Sequence, residues 1–150
     1  MAGELIVYNG TGSVGQLKDG DALTTYSQKD WQGKIATLRA MGKEDFQLSD
    51  LDGQEIAVEH IVAHWADMAP DDSGEIKRSV RYVLISKDGV RVSTRSNPAV
   101  ACIKRAADYL GLTLPFDPPL RFRVGKVKSE ETKRLYLQLE LLGPANGEVE

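Results

Sequence analysis

A mainly β protein, built as a small five-stranded barrel with one helix between its third and fourth strands, is what the sequence predicts. Three observations carry that expectation. After residue 54 the chain offers three strand-like segments, then one short helix, then two more strands. The helix is bounded by turn residues on both sides, Ser96-Asn97-Pro98 before it and Gly111 after it. The segment Ile76–Tyr136 holds fourteen Lys and Arg against five Asp and Glu, whereas residues 1–75 hold five against fourteen. Strand-strand-strand-helix-strand-strand is the element order of the OB-fold, whose exposed face often binds oligonucleotides. The charge contrast makes a polarised molecule out of a chain whose net charge is only -3, and a basic block on a β-barrel is the electrostatic footprint of a nucleic-acid binder.

The elements follow in chain order. Glu4–Tyr8 is a short apolar run of strand character. It leads into Gly10-Thr11-Gly12-Ser13-Val14-Gly15, which matches G-x-G-x-x-G, but Gln16–Asp21 is polar and turn-like. A dinucleotide-binding turn must open directly into a helix, so this reads as a flexible loop. Ser27 is a candidate N-cap with Asp30 three residues on, and Trp31, Ile35, Leu38 and Met41 recur at helical spacing before Gly42. These signals predict a helix over 28–41 whose apolar stripe, Trp31 included, packs on the barrel. An acidic connection over 43–53 follows. Residues 1–53 are therefore expected to form an N-terminal extension, 54–142 the barrel domain, and 143–150 a disordered acidic tail.

The barrel strands are expected at 56–68, 76–87, 90–95, 120–128 and 135–142, with the helix at 99–110. Asp88-Gly89 signals a two-residue hairpin turn, because both residues tolerate positive φ. That turn sets Tyr82 opposite Arg95 and Ile85 opposite Val92. Val83, Ile85, Val90 and Val92 then face the interior. Arg78, Tyr82, Ser86, Arg91, Ser93 and Arg95 face outward. A ring flanked by three guanidinium groups suits single-stranded nucleic acid, where bases stack on rings and phosphates meet Arg. Arg121, Arg123, Lys126, Lys128, Lys133 and Arg134 gather on the last hairpin and its loop, one of the usual binding edges of the fold. Tyr136 offers a second stacking ring, and Trp65, ending the first strand, a third. The loop over 70–75 is acidic, so the strand is expected to avoid it.

Other chemistry finds little support. His60 and His64 lie about 13 Å apart on a strand, too far to share an ion, and half-buried histidines are the expectation. Neither has a positioned nucleophile, so no catalytic residue, metal ligand or cofactor is assigned. The single Cys102 sits inside the predicted helix and suits a reducing cytoplasmic compartment. No signal peptide and no membrane-spanning run is visible.

From about Gln54 to Leu142 the chain resembles the small single-stranded DNA-binding proteins of bacteriophages and mobile elements. The resemblance rests on Ile56-Ala57-Val58-Glu59-His60-Ile61-Val62, the Asp72-Ser73-Gly74-Glu75 turn, Arg81–Gly89, the helix ending at Gly111, and Pro118-Pro119-Leu120 before the basic hairpin. It implies an OB-fold that coats single strands in replication or recombination without catalysis. Its partners would be single-stranded DNA, replication or recombination proteins, and further copies of the chain. The Gly147-Glu148-Val149-Glu150 end is acidic but lacks the hydrophobic tip that recruits partners in cellular homologues of the class. An OB-type protein-binding adaptor and an RNA binder are the alternatives.

Overall fold

The two faces of the central sheet are both covered, one by a second sheet and the other by a helix, and this arrangement decides which side chains reach solvent. A computed structural model describes residues 22–67, 73–76 and 78–145. The expected strand at 4–8, the Gly-rich loop, half of the acidic loop and the residues from 146 onward lie outside these.

In chain order come β1 (Ala22–Thr24), α1 (Trp31–Ala40), β2 (Phe46–Gln47), a 3-10 turn at Leu48–Leu51, β3 (Glu55–Val58) and β4 (His60–Asp67). They are followed by β5 (Arg78–Ile85), β6 (Arg91–Thr94), α2 (Asn97–Leu110), β7 (Leu120–Lys128) and β8 (Leu135–Pro144). One sheet has the order β1-β4-β5-β6-β2, the other β3-β7-β8. The protein is mainly β with two helices, as expected, but the two sheets do not close into a barrel. Among the described residues β6 and β8 do not pair.

Eight strands stand where five barrel strands are expected. The first divides at Glu59, whose N–H goes to Ile85 and whose carbonyl accepts from Phe116. That break turns the chain out of the sheet with β7 and into the sheet with β5. The other two additions come from the N-terminal segment: β1 joins β4 antiparallel and β2 joins β6 parallel. The acidic connection is thus a strand and a turn, with Leu48 and Leu51 buried. β8 runs on to Pro144, paired with Leu120, so the first residues of the expected tail belong to the sheet.

The main core lies between the sheets. Val58, Ile61, Tyr82, Leu84 and Val92 meet Phe122, Val124 and Leu139, and α2 adds Val100 and Ile103. α2 is specified locally. Ser96 Oγ accepts from the N–H of Ala99 at 3.2 Å, Pro98 fits a first turn whose N–H groups need no partner, and Gly111 ends the helix at φ 69°.

The outer face of the central sheet carries a smaller core of Ala40, Val62, Val83 and Ile85 beneath α1. Here the expectation fails. α1 turns Gly33, Thr37 and Ala40 inward and leaves Trp31, Ile35 and Leu38 exposed. Small residues let the helix sit close to the sheet. A Cβ on Gly33 would lie 1.7 Å from the Ser27 carbonyl oxygen. Thr37 shares a 3.0 Å hydrogen bond with Thr24. The N-cap is Asp30, not Ser27, its carboxylate accepting from Gly33 N–H at 2.7 Å.

The central hairpin differs by one residue from its expected register. Tyr82 opposes Thr94 and Leu84 opposes Val92. Lys87, Asp88 and Gly89 make a three-residue loop, closed by Ser86 N–H to Val90 O at 3.0 Å, with Gly89 at φ 85°. Three-residue loops with glycine at a left-handed position are the next commonest hairpin closure after the two-residue turn. Since side chains alternate, a slip of one exchanges the faces of β5, while Val92 stays inside and Arg91 and Ser93 stay on the outer face.

Candidate nucleic-acid interface

The slip turns Tyr82 into the core and puts Arg81, itself largely buried, on the outer face of the sheet. Tyr82 is 1% exposed and its hydroxyl donates to Asn97 Oδ1 at 3.1 Å, so it is a core residue rather than an outward stacking ring. Arg81 shares its face with Val83, Ile85, Arg91, Ser93 and Arg95, the last opposite it beyond the end of β6.

The expected outward arginines are held by the fold. Arg78 pairs with Asp67, directly opposite on β4, at 3.0 Å. Arg91 donates to Arg39 O at 2.6 Å and lies 3.8 Å from Asp45, pinning the end of α1 against the hairpin. Arg95 donates to the carbonyls of Ala66 and Ser79, both at 3.1 Å, to Asp67 O at 2.9 Å and to Ser79 Oγ at 2.6 Å. Four neutral acceptors orient that guanidinium without cancelling its charge. Arg121 is paired with Glu55 at 3.0 Å, and Arg123 faces Glu140 at 3.9 Å. Trp65 is half-buried and packs against the main core.

The last hairpin keeps its cations outward. Lys126, Lys128, Lys133 and Arg134 are exposed and make no ion pair with a described residue. Lys126 opposes Leu137 and Lys128 opposes Leu135, on the face that continues from Phe122 and Val124. Tyr136 opposes Val127 on the reverse face, 38% exposed. The lysines and the ring therefore sit on opposite sides of one ribbon.

A groove of about 410 Å³ opens between the end of β6 and this hairpin. Arg81, Arg95, Ser93 and Thr94 line one side, Leu137 the other, and Glu44 and Gln47 the floor near β2. Arg81 is fixed there by His64, by the carbonyls of Ala40 and Gly42, and by Glu44 at 3.6 Å. Glu44 also accepts from Ser93 Oγ at 2.5 Å; that bond, with a backbone one, holds its carboxyl below the usual range. Burial, and next the Arg81 guanidinium, pull Arg95 below its ordinary value. Two guanidinium groups repel each other along one wall of a groove that holds one carboxylate, and an entering anion relieves that repulsion. Arg81, Glu44, Gln47 and Leu137 are absent from the residues expected from sequence. The available signal was Arg81 itself, one position from Tyr82.

Both histidines are half-buried or buried on the outer face of β4. His60 Nδ1 meets Thr25 Oγ1 at 2.8 Å, its ring stacks on Tyr26 at 3.8 Å, and burial pushes its pKa down to about 4. Glu59 lies 3.6 Å away, and burial raises that carboxyl. Among the described residues no group of three His, Cys, Asp or Glu side chains could hold a metal. No described helix is long and apolar enough to cross a membrane.

A two-sheet β protein with a cationic groove beside a lysine-bearing hairpin has the makings of a nucleic-acid-binding module. The chain belongs to the phage single-stranded DNA-binding protein family, whose model matches residues 18–141. Single-stranded DNA is thereby its ligand class. No curated protein and no solved structure matches the chain.

Proposed function

We propose that the protein coats single-stranded DNA without catalysis and with little sequence preference, as part of phage or mobile-element DNA replication or recombination. The strand would run through the groove beside β6 and along the inner face of the β7–β8 hairpin. The observation that carries this path is that Leu137, which lines the groove, is the register partner of Lys126. The groove cations and the hairpin lysines thus follow one continuous surface. Arg81 and Arg95 meet phosphates with fixed geometry, while Lys126, Lys128, Lys133 and Arg134 provide a looser basic edge. Tyr136, on the reverse side, stacks a base only where the strand wraps the ribbon.

The pairing pattern supports an OB-fold reading of 54–142. A strand broken at Glu59 serves both sheets, β5 and β6 extend one, β7 and β8 the other, and α2 bridges the gap between them. On this reading residues 1–53 are an extension that adds β1 and β2 to the edges of the central sheet.

Anisotropy titration of labelled dT oligonucleotide and of a duplex, each at two salt concentrations, tests the proposal. Log K should fall with log salt by about 0.7 per phosphate neutralised, over a site of about 4–16 nucleotides. Equal affinity for duplex, or no salt dependence, overturns it.

A further inference from the structure

α1 presents the wrong face to its own protein. At 3.6 residues per turn Trp31, Ile35 and Leu38 form a single stripe, and they are 76%, 43% and 68% exposed. The helix is held in this orientation by the bond of Thr37 to Thr24 on β1 and by Ala40, which is buried with Val62, Val83 and Ile85. An apolar stripe held outward on a rigid helix marks an interaction site.

Charge indicates what covers it. Lys34 lies along one border of the stripe and Arg39 along the other. The Lys34 ammonium stands 5.5 Å from the centre of the Trp31 ring. The helix Trp31–Ala40 contains no acidic residue. A second copy of this face would set Lys34 and Arg39 against like charges. Glu44 lines the groove and Asp45 lies beside Arg39 and Ala40 at the end of the helix, so a DNA strand continuing from the groove toward α1 would meet two carboxylates. Apolar side chains at i, i+4 and i+7 instead fit the ridge of another helix.

We infer that the outer face of α1 docks an amphipathic helix of another protein whose apolar stripe is bordered by Asp and Glu. Recruitment through this helix leaves the groove free for DNA.

The test uses the full chain and a fluorescein-labelled helical peptide of about four turns, with Leu on one stripe and Glu on both borders. Anisotropy should rise to saturation with this peptide and stay flat with a scramble of the same composition. Ile35→Glu with Leu38→Glu, both exposed positions, should weaken binding by at least about tenfold while leaving the melting temperature and dT affinity unchanged. Lys34→Glu with Arg39→Glu should lose the Glu peptide and gain a version carrying Lys in place of Glu. The inference is overturned if the Glu peptide fails to bind the full chain, or if the scramble binds equally. Loss of dT affinity in the Ile35→Glu, Leu38→Glu variant would assign the stripe to DNA instead. A dimer in sedimentation that this variant abolishes would assign it to a second copy.

Discussion

The Arg81 guanidinium donates to Nε2 of His64 at 3.0 Å, across the β4–β5 pair. Arg cannot accept, so Nε2 must be unprotonated and the His64 imidazole neutral. Burial, and next the positive charge of Arg81, lower the His64 pKa to match. The groove's most buried cation is therefore positioned by a histidine that has to stay uncharged.

This makes stability pH-dependent in a definite direction. Both histidines titrate lower in the fold than in the unfolded chain, where the ordinary value is about 6.5. As pH falls the unfolded state takes up protons first, so stability is full above 6.5 and is lost as pH drops toward the His60 value of about 4. Urea midpoints measured at intervals from pH 7.5 to 5 should decline in the wild type. Replacing both His60 and His64 by Gln should flatten the decline. A flat wild-type profile would show that the imidazoles gain protons without cost to the fold.

Tyr82 separates the core from the surface. Tyr82→Ala should destabilise by about 3–5 kcal/mol, as for a large buried ring. Tyr82→Phe should cost only about 1 kcal/mol for the bond to Asn97. Neither change should alter dT affinity per folded molecule. Chemical denaturation and stoichiometric dT titration on the same samples check both halves, and a stable Tyr82→Ala with weakened DNA binding would restore the outward register.

Gly33 tests the seating of α1. Gly33→Ala forces backbone apart, since its Cβ would lie 1.7 Å from Ser27 O. A loss of about 1–3 kcal/mol, or more, is expected. For a chain of this length that is a drop of about 2–4 °C per kcal/mol in Tm. An unchanged Tm would mean that the Ser27 loop can move aside without penalty.

Arg95 and the hairpin lysines should respond differently. Arg95→Ala strips the partner from the carbonyls of Ala66, Asp67 and Ser79 and should lower stability as well as affinity. Lys126→Ala with Lys128→Ala should leave Tm unchanged and reduce the salt slope by about 0.7 for each phosphate no longer neutralised. Thermal melts beside salt-dependent titrations distinguish the two. A hairpin variant with the wild-type slope would move the DNA path elsewhere.

α2 was legible in the sequence because its signals are local: Ser96, Pro98 and Gly111 each act within a few residues. The strands from 60 onward were legible for a related reason, since β-branched runs between turn residues fit little else. The register of β5 on β6 was not, because Asp88-Gly89 is compatible with a loop of two or three residues and the difference inverts the faces of β5 relative to β6. α1 misled in another way. Its apolar stripe outweighed the quieter spacing of Gly33, Thr37 and Ala40, although small residues are what a helix needs to approach a sheet. Composition located the positive charge of the groove, but not the carbonyls and carboxylates that already hold Arg91, Arg95 and Arg121. Those acceptors come from distant parts of the chain.

The placement of β1 and β2 has a consequence for biosynthesis. Leu23 must find Ala63, and Phe46 must find Val92. Both edges of the central sheet are thus furnished by chain that leaves the ribosome before the strands receiving it exist. The segment 22–51 has to wait, with α1 lacking the sheet it rests upon, until β4 through β6 have emerged. Such long-range closure is intrinsically slow. During that interval the small-residue face of α1, which the fold later buries, is uncovered together with its apolar stripe.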